Sequence, residues 1–495
     1  MTLARLLKED SRPIIILLAV FLILRLPMLL YTPMMNDDSV YAIMIEEQRE
    51  GLTPIPTFLG YPVGWKPMLF FWLHAVLPPL PGPIELTYRL PSLLFGLATI
   101  VPLFLLLRNA GCSRRLAFIS MLIFQLTYIT SYPNTMGIID SMLFFQIALA
   151  LLIYSEDGLG RGRFIAAGIL AFTAYMTKTA VAAMIPILAV AYFLFIGRRK
   201  TLSDPLFLLS LLAVPLAAIS IYLIFQSSGL GEELYVSHIF NLLVSPDGFI
   251  GQAQRIWSGL WVLLLAAGAW FSLSLVGFVK HWKENRFMAV WYILLLFPLL
   301  GTYFLPWYFL PVMPAISYFA ALALLREGKK EKMDTFFAIF FAFTMILTVA
   351  TSFMSYEIGR AETAPQKEAG LMVAGEENVL FVGTWNPTAI AYKTVEEIRD
   401  LGKPYDYGWV LLPKNSDISA YYDFIEDYET AEYPVTQGSF SSAYTTEDIF
   451  RKDSNISSFD YVVASGSPMV MENFTIPGAQ ILYNQSGVMV FRLDS

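Results

Sequence analysis

About eleven apolar runs punctuate the first 355 residues, and their succession limits the fold more than any other feature of the sequence. They lie near 14–31, 91–107, 116–130, 142–154, 165–177, 180–196, 205–225, 256–279, 287–303, 309–325 and 335–353. A helix needs roughly 20 apolar residues to cross the hydrocarbon core, where backbone polar groups find partners only within the segment. The chain is 56% hydrophobic and 15% charged, where a soluble domain carries about a quarter charged residues. The expected architecture is a polytopic α-helical membrane protein with about eleven transmembrane helices. A shorter run at 68–77 reads as an embedded helix that would change the count. No signal-cleavage pattern follows the first run, which is expected to stay as an anchor.

The charges orient the spans. With the N-terminus inside, the cytoplasmic turns hold Arg108, Arg114 and Arg115, then Arg161 and Arg163, then Arg198, Arg199 and Lys200. Later ones hold Lys280, Lys283 and Arg286, then Arg326, Lys329, Lys330 and Lys332. Opposite loops carry few basic residues, a positive-inside pattern. Parity then puts the loop 32–90 and everything after residue 355 outside. Residues 357–495 hold 9 Lys and Arg against 21 Asp and Glu, a balance of −12, while the rest of the chain stands at +5. Their short apolar runs at 378–383, 409–412, 461–464, 480–483 and 488–492, with a helix around 387–401, predict a small extracytoplasmic α/β domain. The expected division is thus 1–355 and 356–495. Three N-glycosylation sequons, at Asn455, Asn473 and Asn484, all fall in the second part. Sequons without signal cleavage fit an archaeal plasma membrane or a eukaryotic endomembrane, the first being favoured. The single Cys112 excludes an intrachain disulfide, and His74, His238 and His281 are too scattered for a zinc motif. The partners expected are lipid bilayer and membrane-borne substrates, with no nucleic acid.

Chemistry gathers in the first outer loop. N-D-D-S-V-Y at 36–41 sets Asp37 beside Asp38, and adjacent acids at a membrane face are costly unless used. One of them could simply cap the following helix, but three short polar residues exceed that need. An aspartate partly shielded from water is a good general base; the pair could also hold a divalent cation as cofactor. Lys66, pinned by Pro67 and flanked by Tyr61 and Trp65, either snorkels to the headgroups or binds a phosphate at that level. Arg89 at a helix entrance invites the same two readings. Asp140 lies at the outer end of the run near 142, as a helix cap or a second acid of the site. Lys178 interrupts a long apolar stretch and becomes inexpensive at the tip of an outer hairpin. The outer loop 226–255 adds His238 and Arg255, and loops of that length often close over sites. Three prolines in P-W-Y-F-L-P-V-M-P at 306–314 predict a broken helix lining a cavity.

The acidic pair with Tyr41 resembles the D-E-x-x-Y signature of GT-C integral-membrane glycosyltransferases, nearest to the protein O-mannosyltransferase and aminoarabinose-transferase group. W-K-P-M-L at 65–69 is similar to their K-P-P-L element, and Y-R-L-P-S-L-L-F-G at 88–96 to their R-L-P-S-x-x-x-G entrance. Asp140, M-T-K-T-A and the stretch 308–314 match later elements, so the resemblance covers about residues 10–355. It departs where Asp38 stands for Glu and Trp307 for an Arg, which turns attention to Arg255 as the phosphate-binding arginine. The resemblance implies inverting sugar transfer from a polyprenyl (dolichyl)-phosphate donor to a protein, glycan or lipid acceptor. Asp37 would be the base and Lys66 would bind the lipid phosphate, with Asp38 and Asp140 positioning acceptor or sugar. Tyr41, Tyr61, Arg89, Lys178, Arg255 and His238 would line the substrate site. An oligosaccharyltransferase would carry a W-W-D-x-G element, which is lacking, and a transporter or flippase would show inverted repeats.

Overall fold

The structure is a computed structural model that describes residues 9–35, 37–58, 61–63, 66–228, 248–301, 305–327, 331–376, 379–383, 387–396, 407–411, 460–465, 479–486 and 488–493. The chain enters through α1 (Ser11–Arg25), extended by a 3-10 turn at Leu26–Leu30, and reaches the loop helix α2 (Asp37–Glu50). A two-residue hairpin, β1 (Thr57–Phe58) and β2 (Tyr61–Pro62), leads to the short α3 (Leu69–Ala75). The helices α4 (Ile84–Asn109), α5 (Arg114–Leu126), α6 (Tyr128–Thr135) and α7 (Ile139–Ser155) follow. Next come α8 (Gly162–Tyr175), α9 (Thr179–Ala182), α10 (Met184–Phe195), α11 (Pro205–Leu211) and α12 (Ala213–Ser227). Then α13 (Gly248–Ala267), α14 (Ala269–His281) and α15 (Arg286–Leu300) precede a 3-10 segment, Pro306–Val312, and α16 (Met313–Glu327).

Several apolar helices make this a multi-pass membrane protein. Among the described residues, four helices are long and apolar enough to cross a membrane, or up to six if each of two bent pairs is one span. The run expected at 116–130 bends by 65° between α5 and α6, and the run expected at 256–279 turns by 106° between α13 and α14. Gly268, at φ +60°, makes the second turn possible, a backbone region that β-carbon-bearing residues rarely enter. Hydropathy alone sees one run in each case, because a break in direction costs no hydrophobicity. The broken helix expected at 306–314 is the 3-10 segment leading into α16.

Polar contacts tie the turns together at one end. Asp10, fully buried, accepts from Arg108 (3.0 Å) and Arg114 (2.6 Å), and Asn285 donates to the Ala110 carbonyl (3.0 Å). Arg326 pairs with Glu284 (2.9 Å). At the opposite end lie the loop helix and the C-terminal elements. There α17 (Glu331–Met372) runs 42 residues without a break, so residues 355 and 356 fall inside one helix. Beyond it stand β3 (Val379–Gly383), α18 (Pro387–Glu396), β4 (Tyr407–Leu411), β5 (Tyr461–Ser465), β6 (Gln480–Gln485) and β7 (Val488–Arg492). They form a five-stranded sheet in the order β4-β3-β5-β7-β6, parallel at β4-β3-β5 and antiparallel at β5-β7-β6. Asn484 lies exposed on β6; Asn455 and Asn473 lie outside the described residues. One apolar core fills the helical bundle. A second joins Tyr41, Phe70, Phe71, Tyr88 and Tyr132 to Tyr356, Tyr392, Val463 and Val490, so the loop helix and the sheet share a single interior.

Candidate active site

Asp37 opens α2, where a carboxylate is favoured by the helix dipole. It is half-buried, and the Tyr41 hydroxyl one turn on reaches its Oδ2 at 3.5 Å. Edge-on contacts with Phe70 and Phe71 fix the Tyr41 ring. Burial, with Asp37 and Asp140 nearby, holds the Tyr41 phenol well above its usual range, so it remains a proton donor toward Asp37. Lys66 lies over the same ring, its Nζ 5.2 Å from the centroid, as a cation over a π face.

The fold carries α3 to the turn after α8: the Leu69 amide donates to the Met176 carbonyl (3.1 Å). This link brings Lys66 beside Lys178, over a hundred positions later in the chain. Lys178 Nζ pairs with Asp140 Oδ1 at 2.7 Å and stands 4.1 Å above the Tyr308 ring. Asp140 sits in the first turn of α7 rather than at its cap, which is Ile138. Desolvation lowers the Lys66 ammonium from its ordinary value of 10.5; neighbouring Lys178 acts in the same direction, while Asp37 and Asp140 oppose both. The arrangement is therefore an acidic and basic cluster: Asp37, Lys66, Asp140 and Lys178 around Tyr41 and Tyr308. In the sequence Tyr308 stands only as the first residue of the 308–314 element, with no role of its own. Beside it Trp307 stacks on Tyr132, centroids 4.5 Å apart and planes at 11°, walling this side with apolar surface.

Asp38 and Arg89 do something else. Both side chains are fully shielded from solvent, and Asp38 Oδ2 accepts from Arg89 Nε (2.9 Å) and NH2 (2.5 Å). Asp38 Oδ1 accepts from the Gly137 amide (2.9 Å). The remaining guanidinium hydrogens go to the carbonyls of Leu29 (2.8 Å), Thr32 (2.7 Å) and Pro33 (2.8 Å), so all five donors are used. With both oxygens of Asp38 committed to N–H donors, a cation shared between Asp37 and Asp38 does not fit. Among the described residues no group of three or more His, Cys, Asp or Glu could hold a metal. Gly137 is required here, since a β-carbon would come within 2.6 Å of Asp38 Oδ1 and 2.8 Å of the Tyr88 carbonyl. Gly137→Ala is expected to shift Asp38 and lower the melting temperature in detergent by several degrees, read by tryptophan fluorescence.

The other sequence candidates are more scattered. Arg255 is half-buried on α13, and Tyr61 lies on β2. His238 lies outside the described residues.

Comparison with known proteins places this geometry. The family model described as dolichyl-phosphate-mannose-protein mannosyltransferase matches residues 65–225. Two crystal structures of ArnT from Cupriavidus metallidurans are similar throughout. The apo form gives a TM-score of 0.63 at 16% identity, covering 98% of each chain. The form bound to undecaprenyl phosphate gives 0.62 at 15% identity, covering 96% of this chain and 97% of that one. The fold is that of these ArnT structures. An archaeal neighbour, the oligosaccharyltransferase of Archaeoglobus fulgidus in its apo form, aligns less closely (TM-score 0.56, 13% identity, 98% of this chain and 74% of that one). By sequence, the chain is 26% identical over 370 residues to the undecaprenyl phosphate-alpha-4-amino-4-deoxy-L-arabinose arabinosyl transferase of Aeromonas hydrophila. That match covers 70% of this chain and 66% of the relative. A like-named protein of Shewanella sediminis is 23% identical over 84% of this chain and 81% of its own. The chain spans slightly less than two thirds of the Aeromonas relative's length. The likeness is thus to the aminoarabinose-transferase side of the group more than to the mannosyltransferases.

Proposed function

We propose that the protein is a membrane glycosyltransferase that moves a sugar from a polyprenyl-phosphate donor to an acceptor hydroxyl or amine at the outer membrane face. The observation that carries this reading is the cluster itself: the half-buried Asp37 beside Lys66, with the Lys178–Asp140 pair next to them, at one end of a membrane bundle. In the proposed reaction Asp37 takes the proton from the acceptor as its oxygen or nitrogen bonds to the anomeric carbon. The bond from that carbon to the phosphate oxygen breaks on the opposite side, inverting the centre and releasing polyprenyl phosphate. Lys66 stabilises the charge of the departing phosphate, and Lys178, held by Asp140, adds a second cation from the other wall. Asp38 and Arg89 are assigned to holding the loop, not to substrate.

An undecaprenyl-linked aminopentose is the first donor to try, because the similar proteins carry it in their names; dolichyl-linked hexoses follow. In this reading the membrane part has about eleven spans with the sheet-bearing region outside, and an archaeal plasma membrane is the setting the sequons favour. The decisive assay incubates purified protein with a panel of polyprenyl-phosphate sugars and follows lipid-phosphate release. Absence of release from every donor would remove the proposal.

The Lys66 ammonium also gives a pH prediction. Because its folded value lies below 10.5, its charge is lost, as pH rises, before an ordinary lysine would lose it. Donor KM should therefore climb on the alkaline side below pH 10.5. Lys66→Met should raise KM at neutral pH and flatten that climb; an unchanged alkaline limb in the variant would exclude Lys66 as the phosphate contact.

A further inference from the structure

We propose that Thr388 and Tyr392 of α18 are positioning residues for Asp37, acting through the main chain of Met34; the proposal rests on Asp37 being the base. At its own side chain Asp37 has the Tyr41 hydroxyl at 3.5 Å and the Lys66 charge nearby. Its placement depends on the backbone leading into α2, and that backbone is gripped from two sides. From the bundle, Arg89 holds the carbonyls of Leu29, Thr32 and Pro33. From the C-terminal region, α18 holds both polar groups of the next residue: the Met34 amide donates to the Tyr392 hydroxyl (3.0 Å), and Thr388 Oγ1 donates to the Met34 carbonyl (3.0 Å). Thr388 Oγ1 also lies 3.4 Å from Ser39 Oγ, on the far side of Asp37. Asp37 thus sits between two points fixed by one helix of the sheet-bearing region.

The Tyr392 hydroxyl continues the chain of contacts. It donates to Glu85 Oε1 (2.5 Å), which also accepts from Lys367 of α17 (2.6 Å). Thr388 and Tyr392 are both fully buried. Docking of a soluble region needs apolar contact alone; these hydrogen bonds instead fall on the few residues that set the base. In a dry interior, such bonds fix a geometry more sharply than apolar packing does.

The test uses the full chain in lipid nanodiscs, with the isosteric Thr388→Val and Tyr392→Phe, and Thr388→Ser as the conservative variant. Two readouts are taken: amide hydrogen exchange over residues 34–40, and kcat with donor KM for the polyprenyl-phosphate sugar that wild type turns over. The proposal expects Thr388→Val and Tyr392→Phe to speed exchange over 34–40 and lower kcat about tenfold, the effect of one lost hydrogen bond, with KM nearly unchanged. Exchange in α4 and α7 should not change, and Thr388→Ser should behave as wild type. Unchanged exchange over 34–40 overturns the proposal, as does faster exchange with undiminished kcat, or a loss confined to KM. If wild type releases no lipid phosphate, the functional reading itself has failed and this inference falls with it; that control separates the two failures.

Discussion

Asp37→Asn is expected to reduce lipid-phosphate release about 10²–10⁴-fold, the usual worth of a general base, while the protein keeps its melting temperature in detergent. The reason is local. Asp37 is half-buried, the Tyr41 hydroxyl stands 3.5 Å from its Oδ2, and asparagine can still begin the helix. The hydroxyl of Tyr41 finds an acceptor in the asparagine oxygen as readily as in the carboxylate. What is lost is the ability to take a proton. Turnover within a fewfold of wild type would move the base elsewhere, with Asp140 the next carboxylate in the cluster.

The second large effect concerns folding. Arg89→Leu should leave Asp38 as an uncompensated buried charge and free three buried carbonyls, a loss of about 3–5 kcal/mol. Since whole proteins are stable by only about 5–15 kcal/mol, the variant should appear as aggregated or low-yield material in size-exclusion chromatography. Arg89→Lys should recover little, because an ammonium offers three donors without the planar fork that spans Asp38 and the chain at 29–33. Replacing both partners, Asp38→Leu with Arg89→Leu, should restore part of the yield, as happens when a buried pair becomes apolar. A monodisperse Arg89→Leu protein that had lost only donor affinity would return Arg89 to the phosphate-binding role the sequence suggested.

These two predictions show where the sequence was legible. Asp37, Lys66, Asp140 and Lys178 each stand out as charges interrupting apolar context, and the structure brings these four together. Tyr308 was less visible, because an aromatic residue at a membrane face is ordinary. Thr388 and Tyr392 gave no signal at all, since their roles depend on a contact more than 350 positions away in sequence. Hydropathy gave no sign that two of the apolar runs bend, at 126–128 and at Gly268.

The sequence by itself determined the helical membrane class and the order of its apolar segments. It also revealed the gathering of candidate site charges in a few turns, because burial in lipid allows few other patterns. Only the tertiary structure separated Asp37 from its neighbour. Adjacent residues on a helix point about 100° apart, so one of the two acids must face inward and the other toward the site. Which is which depended on Arg89, 51 residues away, and on a glycine at 137 small enough to let Asp38 in. Hydropathy and spacing carry no record of that pairing, since it is fixed by how α2 and α4 pack.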